Sequence, residues 1–200
     1  MGNSRTDQRS YGTLFACSKR FCTHADAMEA NTIKAVATAA VRLAKNGDAF
    51  IKSVKERTGL DLECIAGEEE ARLGFLGVIN TIGLKDFIIF DLGGASTEIT
   101  LVRNRHITKS VSLPIGALTL TGTYQKGDEY TPKELDKLTK VVKKTIKEHT
   151  WLRNVKLPLL GIGGTARNML KWINASYLIL LQSYIIMKFH IIDSMRFWKK

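Results

Sequence analysis

Cysteine, proline and some familiar site signatures are scarce or missing in this 200-residue sequence. It has three prolines and three cysteines, Cys17, Cys22 and Cys64. Cysteines this few and scattered cannot build the disulfide framework of a small secreted domain, so we expect a reducing, cytoplasmic setting. Cys17, Cys22 and His24 also lack a fourth ligand and the usual spacing of a zinc site. The P-loop pattern G-x-x-x-x-G-K-[ST] is absent, which excludes that class of nucleotide-binding protein.

Long hydrophobic runs are missing as well. The most apolar segment, Ser176–Ile192, is interrupted by Gln182, Ser183, Lys188 and His190. A transmembrane helix needs about 20 consecutive and mostly apolar residues. We therefore predict no stable membrane span.

Basic residues outnumber acidic ones in the composition. Thirty Lys and Arg against nineteen Asp and Glu give a formal net charge of +11. This surplus favours an anionic partner, and composition leaves open whether that is nucleic acid, an anionic membrane surface or a polyphosphorylated molecule. Six of the lysines fall in one predicted amphipathic helix, Thr131–His149. Such a helix presents either an ordinary solvated face or a track for a polyanion.

Hydrophobic periodicity predicts a mixed α/β chain. A β-meander is expected with strands at Phe87–Leu92, Thr97–Arg103 and Ile107–Leu113, and its middle turn at Asn104-Arg105 suits an asparagine with positive φ. The other predicted elements are a strand that turns helical in Thr32–Arg42, helices at Asn46–Leu60 and Gly67–Ile82, a short strand at Leu62–Ala66, a turn into a helix in Leu113–Tyr124, and a strand, glycine turn and helix in Lys156–Leu170.

Two glycine loops follow apolar strands. The first, DLGGAST, begins at Asp91, and the second, GIGGT, begins at Gly161. Small residues let the backbone approach a ligand closely, and successive N–H groups in such a turn can surround an anion. The second loop also leads into a helix N-terminus, which favours anions. For the first loop alone, a simple hairpin turn is an equally good interpretation.

Asp91 at the tip of its strand cannot hold a phosphate directly, because like charges repel. It can hold Mg²⁺, which prefers one or two carboxylates together with phosphate oxygens. The pattern therefore predicts a strand that carries a metal-binding carboxylate beside a phosphate-binding glycine loop.

The acidic cluster Glu68-Glu69-Glu70 has two interpretations. Negative charge at a helix N-terminus is sufficient to explain most such clusters. Alternatively, one glutamate activates water, since crowded carboxylates raise one another's pKa toward neutrality. Arg42 is similarly either a surface salt-bridge donor or a planar fork for a phosphate.

Four motifs in order, AGEEEARLGFLGV, FDLGGASTEITLV, SLPIGALTLT and GIGGTARNM, resemble the exopolyphosphatase / guanosine pentaphosphate phosphohydrolase family. That family belongs to the actin-like superfamily of sugar kinases and heat-shock chaperone ATPases. The resemblance covers about Thr32 to Lys171. It implies an α/β fold of two ribonuclease-H-like lobes, here incomplete.

The resemblance also implies roles for individual residues. Glu70 matches the catalytic base that orients the attacking water. Asp91 and Glu98 match the carboxylates at the metal. Phosphate contacts are implied for Arg42 and for two loops, which comprise Gly93, Gly94, Ala95, Ser96 and Thr97 in the first, where relatives commonly carry a third glycine at the Ala95 position, and Gly161, Gly163, Gly164 and Thr165 in the second.

Members of this family remove the terminal phosphate of inorganic polyphosphate, and some act on guanosine pentaphosphate. The resemblance thus implies a Mg²⁺-dependent hydrolase whose partner is one of these compounds and not nucleic acid. Relatives are often dimers. The alternatives are a phosphate-binding module without catalysis and an ATP-binding relative from the same superfamily.

The sequence departs from the family at both ends. The opening D-x-G-S-N segment of relatives is missing, and residues 1–24 are expected to be disordered or foreign to the fold. Residues 25–83 would be a remnant of the first lobe with an unpaired sheet edge, and residues 84–173 the start of the second. The apolar tail, 174–200, is predicted to be a frame-shifted reading. A fragment of this kind is expected to fold marginally and to show weak or absent activity.

Overall fold

The computed structural model describes residues 8–170, 178–181 and 184–187 of the chain. These residues form two compact units, of which the first ends at Gly67 and the second begins at Glu68. The boundary therefore falls at the start of the helix Gly67–Ile79, whereas the sequence placed it near residue 83.

The first unit combines three helices with a small sheet. Helix α1 packs against helix α3, so the expectation that residues 1–24 are disordered is wrong from Gln8 onward. Residues 1–7 lie outside the described part. The helix was missed because packing on a neighbour stabilises it, and its local caps and periodicity are weak. The elements of this unit are α1 (Gln8–Ala27), β1 (Ala35–Ala37), α2 (Ala39–Arg42), α3 (Gly47–Thr58) and β2 (Leu62–Cys64).

Strands β1 and β2 pair in parallel, with Ala35 opposite Leu62 and Ala37 opposite Cys64. Among the described residues this sheet has only these two strands. Val36 in β1 is 42 % exposed, although parallel sheets are normally covered on both faces. The predicted unpaired sheet edge is therefore present in the described structure.

The second unit is built on a six-stranded sheet with the order β5-β4-β3-β6-β8-β7. Strands β3, β4 and β5 form the predicted antiparallel meander, and β6 lies parallel to β3. The elements are α4 (Gly67–Ile79), β3 (Phe87–Leu92), β4 (Thr97–Arg103), β5 (His106–Leu113), α5 (Ala117–Tyr124), α6 (Pro132–Lys147), β6 (Leu159–Ile162), α7 (Gly163–Leu170), β7 (Leu178–Leu181) and β8 (Tyr184–Met187).

The core of the second unit lies between helix α4 and one face of this sheet. Val78, Ile79 and Ile82 pack on Phe87 and Ile89 of β3, together with Val102 and Leu160 from the neighbouring strands. Alternate residues of a strand point to the same face, so the face that carries Phe87 and Ile89 also carries Asp91. Burial of this face fixes the register that delivers Asp91 to the end of the sheet.

The tail contributes two strands to this sheet. Strand β8 pairs with β6, and β7 pairs with β8. The remaining residues of the predicted frame-shifted tail lie outside the described residues, and that hypothesis stays a prediction. Among the described helices, none combines the length and the apolar character that crossing a bilayer requires.

Arg105 fastens helix α4 to the sheet. It occupies the two-residue turn between β4 and β5, where Asn104 and Arg105 both have positive φ, of 48° and 65°. Its guanidinium donates hydrogen bonds to the carbonyls of Ile79, Ile82 and Leu84, which lie at and beyond the last turn of α4. These carbonyls would otherwise lack partners, because a helix end leaves its last C=O groups unpaired.

We expect Arg105→Ala to lower the free energy of unfolding by about 2 kcal/mol, because it removes charge-assisted hydrogen bonds and leaves half-buried carbonyls unsatisfied. Arg103→Ala is the matched control, since Arg103 is exposed at the end of β4, and its effect should stay within about 0.5 kcal/mol. Urea unfolding followed by circular dichroism measures both. Equal effects of the two substitutions would show that Arg105 does not fasten α4.

Candidate functional site

Three strands bring polar groups together at one end of the second sheet. Asp91 is the next-to-last residue of β3, and it faces Glu98 on antiparallel β4 and Ile162 on parallel β6. Because parallel strands end at the same edge, the two glycine loops that follow β3 and β6 lie side by side. Gly163, with φ of +82°, is so close to Asp91 that a Cβ there would come within 2.6 Å of Asp91 Oδ1.

Helix α4 brings Glu70 to the same end. Its core contacts near Ile79 lie over Phe87, so the helix runs back along β3 toward Asp91. From Ile79 to Glu70 the helix rises about 13 Å, and from Phe87 to Asp91 the strand also extends about 13 Å. Glu70 consequently reaches the level of Asp91, and its charge is one of the causes that raise the Asp91 pKa.

The structure separates the three acids of the GEEEA segment. Glu68 is exposed to solvent. Glu69 forms a bidentate ion pair with Arg72 on the next turn, with both N···O distances at 2.7 Å. Glu70 is half-buried like Glu69, and of the three acids its charge is the one that raises the Asp91 pKa. This arrangement supports the hypothesis that assigned Glu70 a role different from that of its two neighbours.

Glu98 is a buried carboxylate with two hydroxyl partners. Its side chain is on the same sheet face as Asp91, because the two residues are cross-strand neighbours. Oε1 accepts hydrogen bonds from Ser96 Oγ and from Ser112 Oγ, each at 2.7 Å. Ser112 is the partner of Glu98 on β5, so strands on both sides of Glu98 hold its position.

The environment raises the pKa of Asp91 from its usual value near 3.8 to about 6. Burial is the largest cause, and the negative charges of Glu98 and then Glu70 add to it. An ionised Asp91 is therefore unfavourable where it stands and gains from any positive charge brought to this edge.

The donor set suits a hard divalent cation. Carboxylate oxygens are the ligands that Mg²⁺ prefers, and Asp91 presents such oxygens beside a second carboxylate. Glu98 can approach a cation through Oε2, because Oε1 already accepts two hydroxyl groups. Among the described residues no group of three His, Cys, Asp or Glu side chains is arranged to hold a metal. Completion of the coordination shell would fall to water and substrate oxygens, as is usual for Mg²⁺.

Helix α5 fixes the backbone of the first glycine loop. The N–H of Ala117 donates to the carbonyl of Gly93 at 2.9 Å, and the N–H groups of Leu118 and Thr119 donate to the carbonyl of Gly94 at 2.9 and 3.1 Å. These are the N–H groups that a side chain at the start of a helix normally caps. Here Gly116 occupies that position without a side chain, and the loop carbonyls replace it.

This capping decides which way the loop amides face. In a trans peptide the N–H points opposite to the C=O of the preceding residue. With the carbonyls of Gly93 and Gly94 turned toward α5, the N–H groups of Gly94 and Ala95 point away from α5. Two successive amides that point the same way can surround an anion, and the phosphate contact predicted for this loop stays a prediction.

Gly116 is a functional position that sequence reasoning missed. A Cβ on Gly116 would lie 2.5 Å from the Gly94 carbonyl and from the Ala95 nitrogen, so only glycine permits this approach. The available signal was a glycine that follows proline by two residues and opens a helix, in SLPIGALTLT. Its partner loop lies more than 20 residues earlier, and only the fold reveals the contact.

The hydroxyls of Ser96 and Thr97 are used differently from the sequence prediction. Ser96 Oγ donates to Glu98, and Thr97 Oγ1 donates to the Ile115 carbonyl at 2.5 Å. Each hydroxyl has a single hydrogen, so neither offers one to a phosphate in this conformation. Both side chains instead brace the loop, since Ile115 directly precedes Gly116.

The second loop forms a direct transition from strand to helix. Strand β6 ends at Ile162 and α7 begins at Gly163, so Gly163, Gly164 and Thr165 form the first turn of the helix and not the separate turn that the sequence predicted. Gly161 lies within β6. N–H groups of a first helical turn lack intrahelical partners, and they are next to Asp91 through Gly163.

Arg42 belongs to the first unit. It ends α2, and its Nη1 donates to the Ile65 carbonyl at 2.7 Å. The local structure thus gives Arg42 a backbone partner, and its predicted phosphate contact stays a prediction.

The comparison that decides the classification is with protein families. The chain matches the Ppx/GppA phosphatase family over residues 3–178. It belongs to the Ppx/GppA family. The recognition made from the four motifs is confirmed, the α/β fold agrees with a solved structure of a family member, and members of this family are phosphohydrolases.

Individual Ppx/GppA relatives agree with this assignment. The chain is 35% identical over 145 residues to a bifunctional 3-dehydroquinate synthase/phosphatase of Fusobacterium nucleatum, which covers 69% of this chain and 22% of the relative. It is 33% identical over 131 residues to a guanosine-5'-triphosphate,3'-diphosphate pyrophosphatase of Photobacterium profundum. That match covers 65% of this chain and 26% of the relative. A crystal structure of the Aquifex aeolicus Ppx/GppA protein matches with 30% identity and a TM-score of 0.60, over 82% of this chain and 53% of that one. The chain thus spans about half of the solved relative and a quarter of these curated ones.

We expect Asp91→Asn to raise the thermal midpoint of this Ppx/GppA chain in a chelator-containing buffer at pH 8. The folded pKa of about 6 lies above the usual 3.8, so ionisation of Asp91 destabilises the native state as pH rises through this range. The gain should shrink toward zero near pH 4, where Asp91 is protonated. Asp128→Asn, at an exposed loop position, should leave the thermal midpoint unchanged both at pH 8 and near pH 4. A lower midpoint for Asp91→Asn at pH 8 would contradict the site electrostatics.

We expect Gly116→Ala to displace the first glycine loop, whereas Gly122→Ala should be tolerated. No atom lies within 4 Å of a Cβ at Gly122, and alanine is favoured over glycine inside a helix by about 1 kcal/mol. Amide NMR signals of Gly94 and Ala95, recorded with and without added orthophosphate, measure the loop directly. Unchanged signals and an unchanged phosphate response in Gly116→Ala would refute the proposed role of Gly116.

Proposed function

We propose that this chain carries a Mg²⁺-dependent site that hydrolyses the terminal phosphoanhydride of inorganic polyphosphate or of guanosine pentaphosphate. The observation that carries the proposal is the shared site of Glu70 and Asp91, where the charge of one raises the pKa of the other. Metal-assisted attack of water on a phosphate uses a general base close to a carboxylate that binds the metal, and Glu70 and Asp91 are proposed as this pair.

Each group of the site has a distinct task in this proposal. Glu70 accepts a proton from water and orients that water in line with the bond that breaks. Asp91, supported by Glu98, holds the cation, and a bound Mg²⁺ would neutralise negative charge that develops on the phosphate oxygens. Ser96 and Ser112 keep the Glu98 carboxylate in place through their hydrogen bonds.

The two glycine loops position the substrate. The N–H groups of Gly94 and Ala95 point away from α5, and the first turn of α7 lies next to Asp91 through Gly163. Both sets of N–H groups are proposed to bind phosphate oxygens. Backbone donors of this kind are fixed before the reaction and need no reorganisation during it. Arg42 is proposed as an additional phosphate contact on the basis of the family motif alone.

Two observations bear on the choice of substrate. The relative from Photobacterium profundum is named for its action on guanosine-5'-triphosphate,3'-diphosphate, which supports guanosine pentaphosphate. The net charge of +11 and the lysine-rich helix α6 support inorganic polyphosphate. We also propose a cytoplasmic setting, which the unpaired Cys17, Cys22 and Cys64 support.

We expect Glu70→Gln to reduce Mg²⁺-dependent phosphate release by about 100-fold or more, the usual contribution of a general base. Glu68→Gln is the matched control two residues earlier on the same helix, and it should retain the wild-type rate because Glu68 is solvent-exposed. The assay compares long-chain polyphosphate, guanosine pentaphosphate and ATP under identical conditions.

Three results would argue against this proposal. Equal rates in the Glu70 and Glu68 variants would remove the general base. Tight polyphosphate binding by the wild-type chain with no Mg²⁺-dependent release would leave a binding module, which is the main alternative. Preference for ATP would place the site with the ATP-using relatives.

A further inference from the structure

Helix α6 has a capped N-terminus and one partly buried side. It starts with Pro132 in its first turn and with a capping box, in which Thr131 Oγ1 accepts from the Glu134 N–H and the Glu134 carboxylate accepts from the Thr131 N–H. These hydrogen bonds lower the pKa of Glu134. The apolar side of the helix, including Leu135 and Leu138, is half-buried, and α6 contacts α5. The opposite side must therefore face solvent.

That opposite side is a straight row of lysines. Lys133, Lys137, Lys140, Lys144 and Lys147 follow one another at alternating steps of four and three residues. At 100° per residue they fall within an arc of about 80°, and they extend over about 21 Å. All five are exposed, and Lys143 lies beside the row. We call these five residues the lysine stripe.

The lysine stripe differs from an ordinary solvated helix face. On α3, Lys52 and Lys55 are balanced by Glu56 and Asp61 at 3.9 and 2.6 Å. In the stripe, only Lys140 has such a partner among the described residues, Asp136 at 2.7 Å. Like charges four residues apart destabilise a helix, so the row carries a small cost that an anion bound along it would relieve.

The position of α6 connects the stripe to the proposed site. Helix α6 packs against α5, and the first turn of α5 holds the carbonyls of Gly93 and Gly94. A further hydrogen bond joins the two segments, from Tyr130 Oη to Thr121 Oγ1 at 3.1 Å. The stripe therefore lies on the element that supports the helix behind the phosphate loop.

We propose that the lysine stripe binds the body of an inorganic polyphosphate chain while its terminal phosphate occupies the glycine loops. This inference rests on the proposed function and selects polyphosphate as its substrate class. A flexible polymer with evenly spaced charges fits a single file of ammonium groups, which act as point charges. Single-stranded nucleic acid fits less well, because α6 contains no aromatic side chain on which bases could stack.

The test compares two triple variants that carry the same formal net charge as each other, since each loses three lysines in the same background. The first, Lys137→Gln/Lys140→Gln/Lys144→Gln, interrupts the stripe. The control, Lys34→Gln/Lys52→Gln/Lys55→Gln, removes three exposed lysines of the first unit. Both are made in the Glu70→Gln background so that the ligand is not consumed. Titration calorimetry with long-chain polyphosphate and with tripolyphosphate, at two salt concentrations, measures binding.

We expect the stripe variant to bind long-chain polyphosphate roughly tenfold more weakly and with a smaller salt dependence, because three exposed charge contacts are lost. Its tripolyphosphate binding and the binding by the control variant should not change. Equal weakening in both triple variants would reduce the effect to net charge and overturn the inference.

Two further outcomes separate this inference from the proposed function. Tighter stripe-dependent binding of single-stranded RNA than of polyphosphate would overturn the choice of ligand. Stripe-dependent polyphosphate binding together with a complete lack of Mg²⁺-dependent release in the unmodified chain would support the inference while the proposed hydrolysis fails. Mg²⁺-dependent phosphate release that does not change in the stripe variant, made without Glu70→Gln, at any polyphosphate length would overturn the inference and leave the proposed hydrolysis standing.

Discussion

The packing of helix α4 along strand β3 is the constraint on which the site depends. The apolar residues near Ile79 bury against Phe87 and Ile89, and this fixes both the register of the strand and the direction of the helix. The helix segment from Ile79 to Glu70 is about as long as the strand segment from Phe87 to Asp91. Glu70 and Asp91 therefore reach the same edge of the sheet. Arg105 secures the far end of the helix, so a contact remote from the chemistry contributes to its geometry.

A second constraint shapes the anion-binding backbone. The N-terminus of α5 is satisfied by loop carbonyls, and this leaves the loop amides of Gly94 and Ala95 facing the opposite way. The absence of a side chain at Gly116 makes the contact possible. Helix capping usually contributes to stability, and here it also orients the loop amides. Helix α6, which packs against α5, carries the lysine stripe.

The sequence predicted the elements better than it predicted their contacts. A continuous apolar run located β3 and alternation located β4, both to the residue, and Asn104 marked the turn between β4 and β5, because these signals are local. The bond from Arg105 to Ile79 spans 26 residues, and no local pattern reveals it. The hydroxyls of the first loop were assigned to phosphate, although Ser96 donates to nearby Glu98 and Thr97 donates to the more distant Ile115 carbonyl. Asp91 was predicted from its strand and glycine loop, Glu70 was singled out by the family motif, and the fold supplied the reason for their proximity.

The central claim is that Glu70 and Asp91 act as one electrostatic unit. The most direct measurement is the carboxyl ¹³C NMR titration of Asp91 in the wild-type chain and in Glu70→Gln, both without divalent cations. The account predicts that Asp91 titrates near pH 6 in the wild type and at a lower pH when the Glu70 charge is removed. An ordinary pKa for Asp91, or one that does not respond to loss of the Glu70 charge, would contradict it.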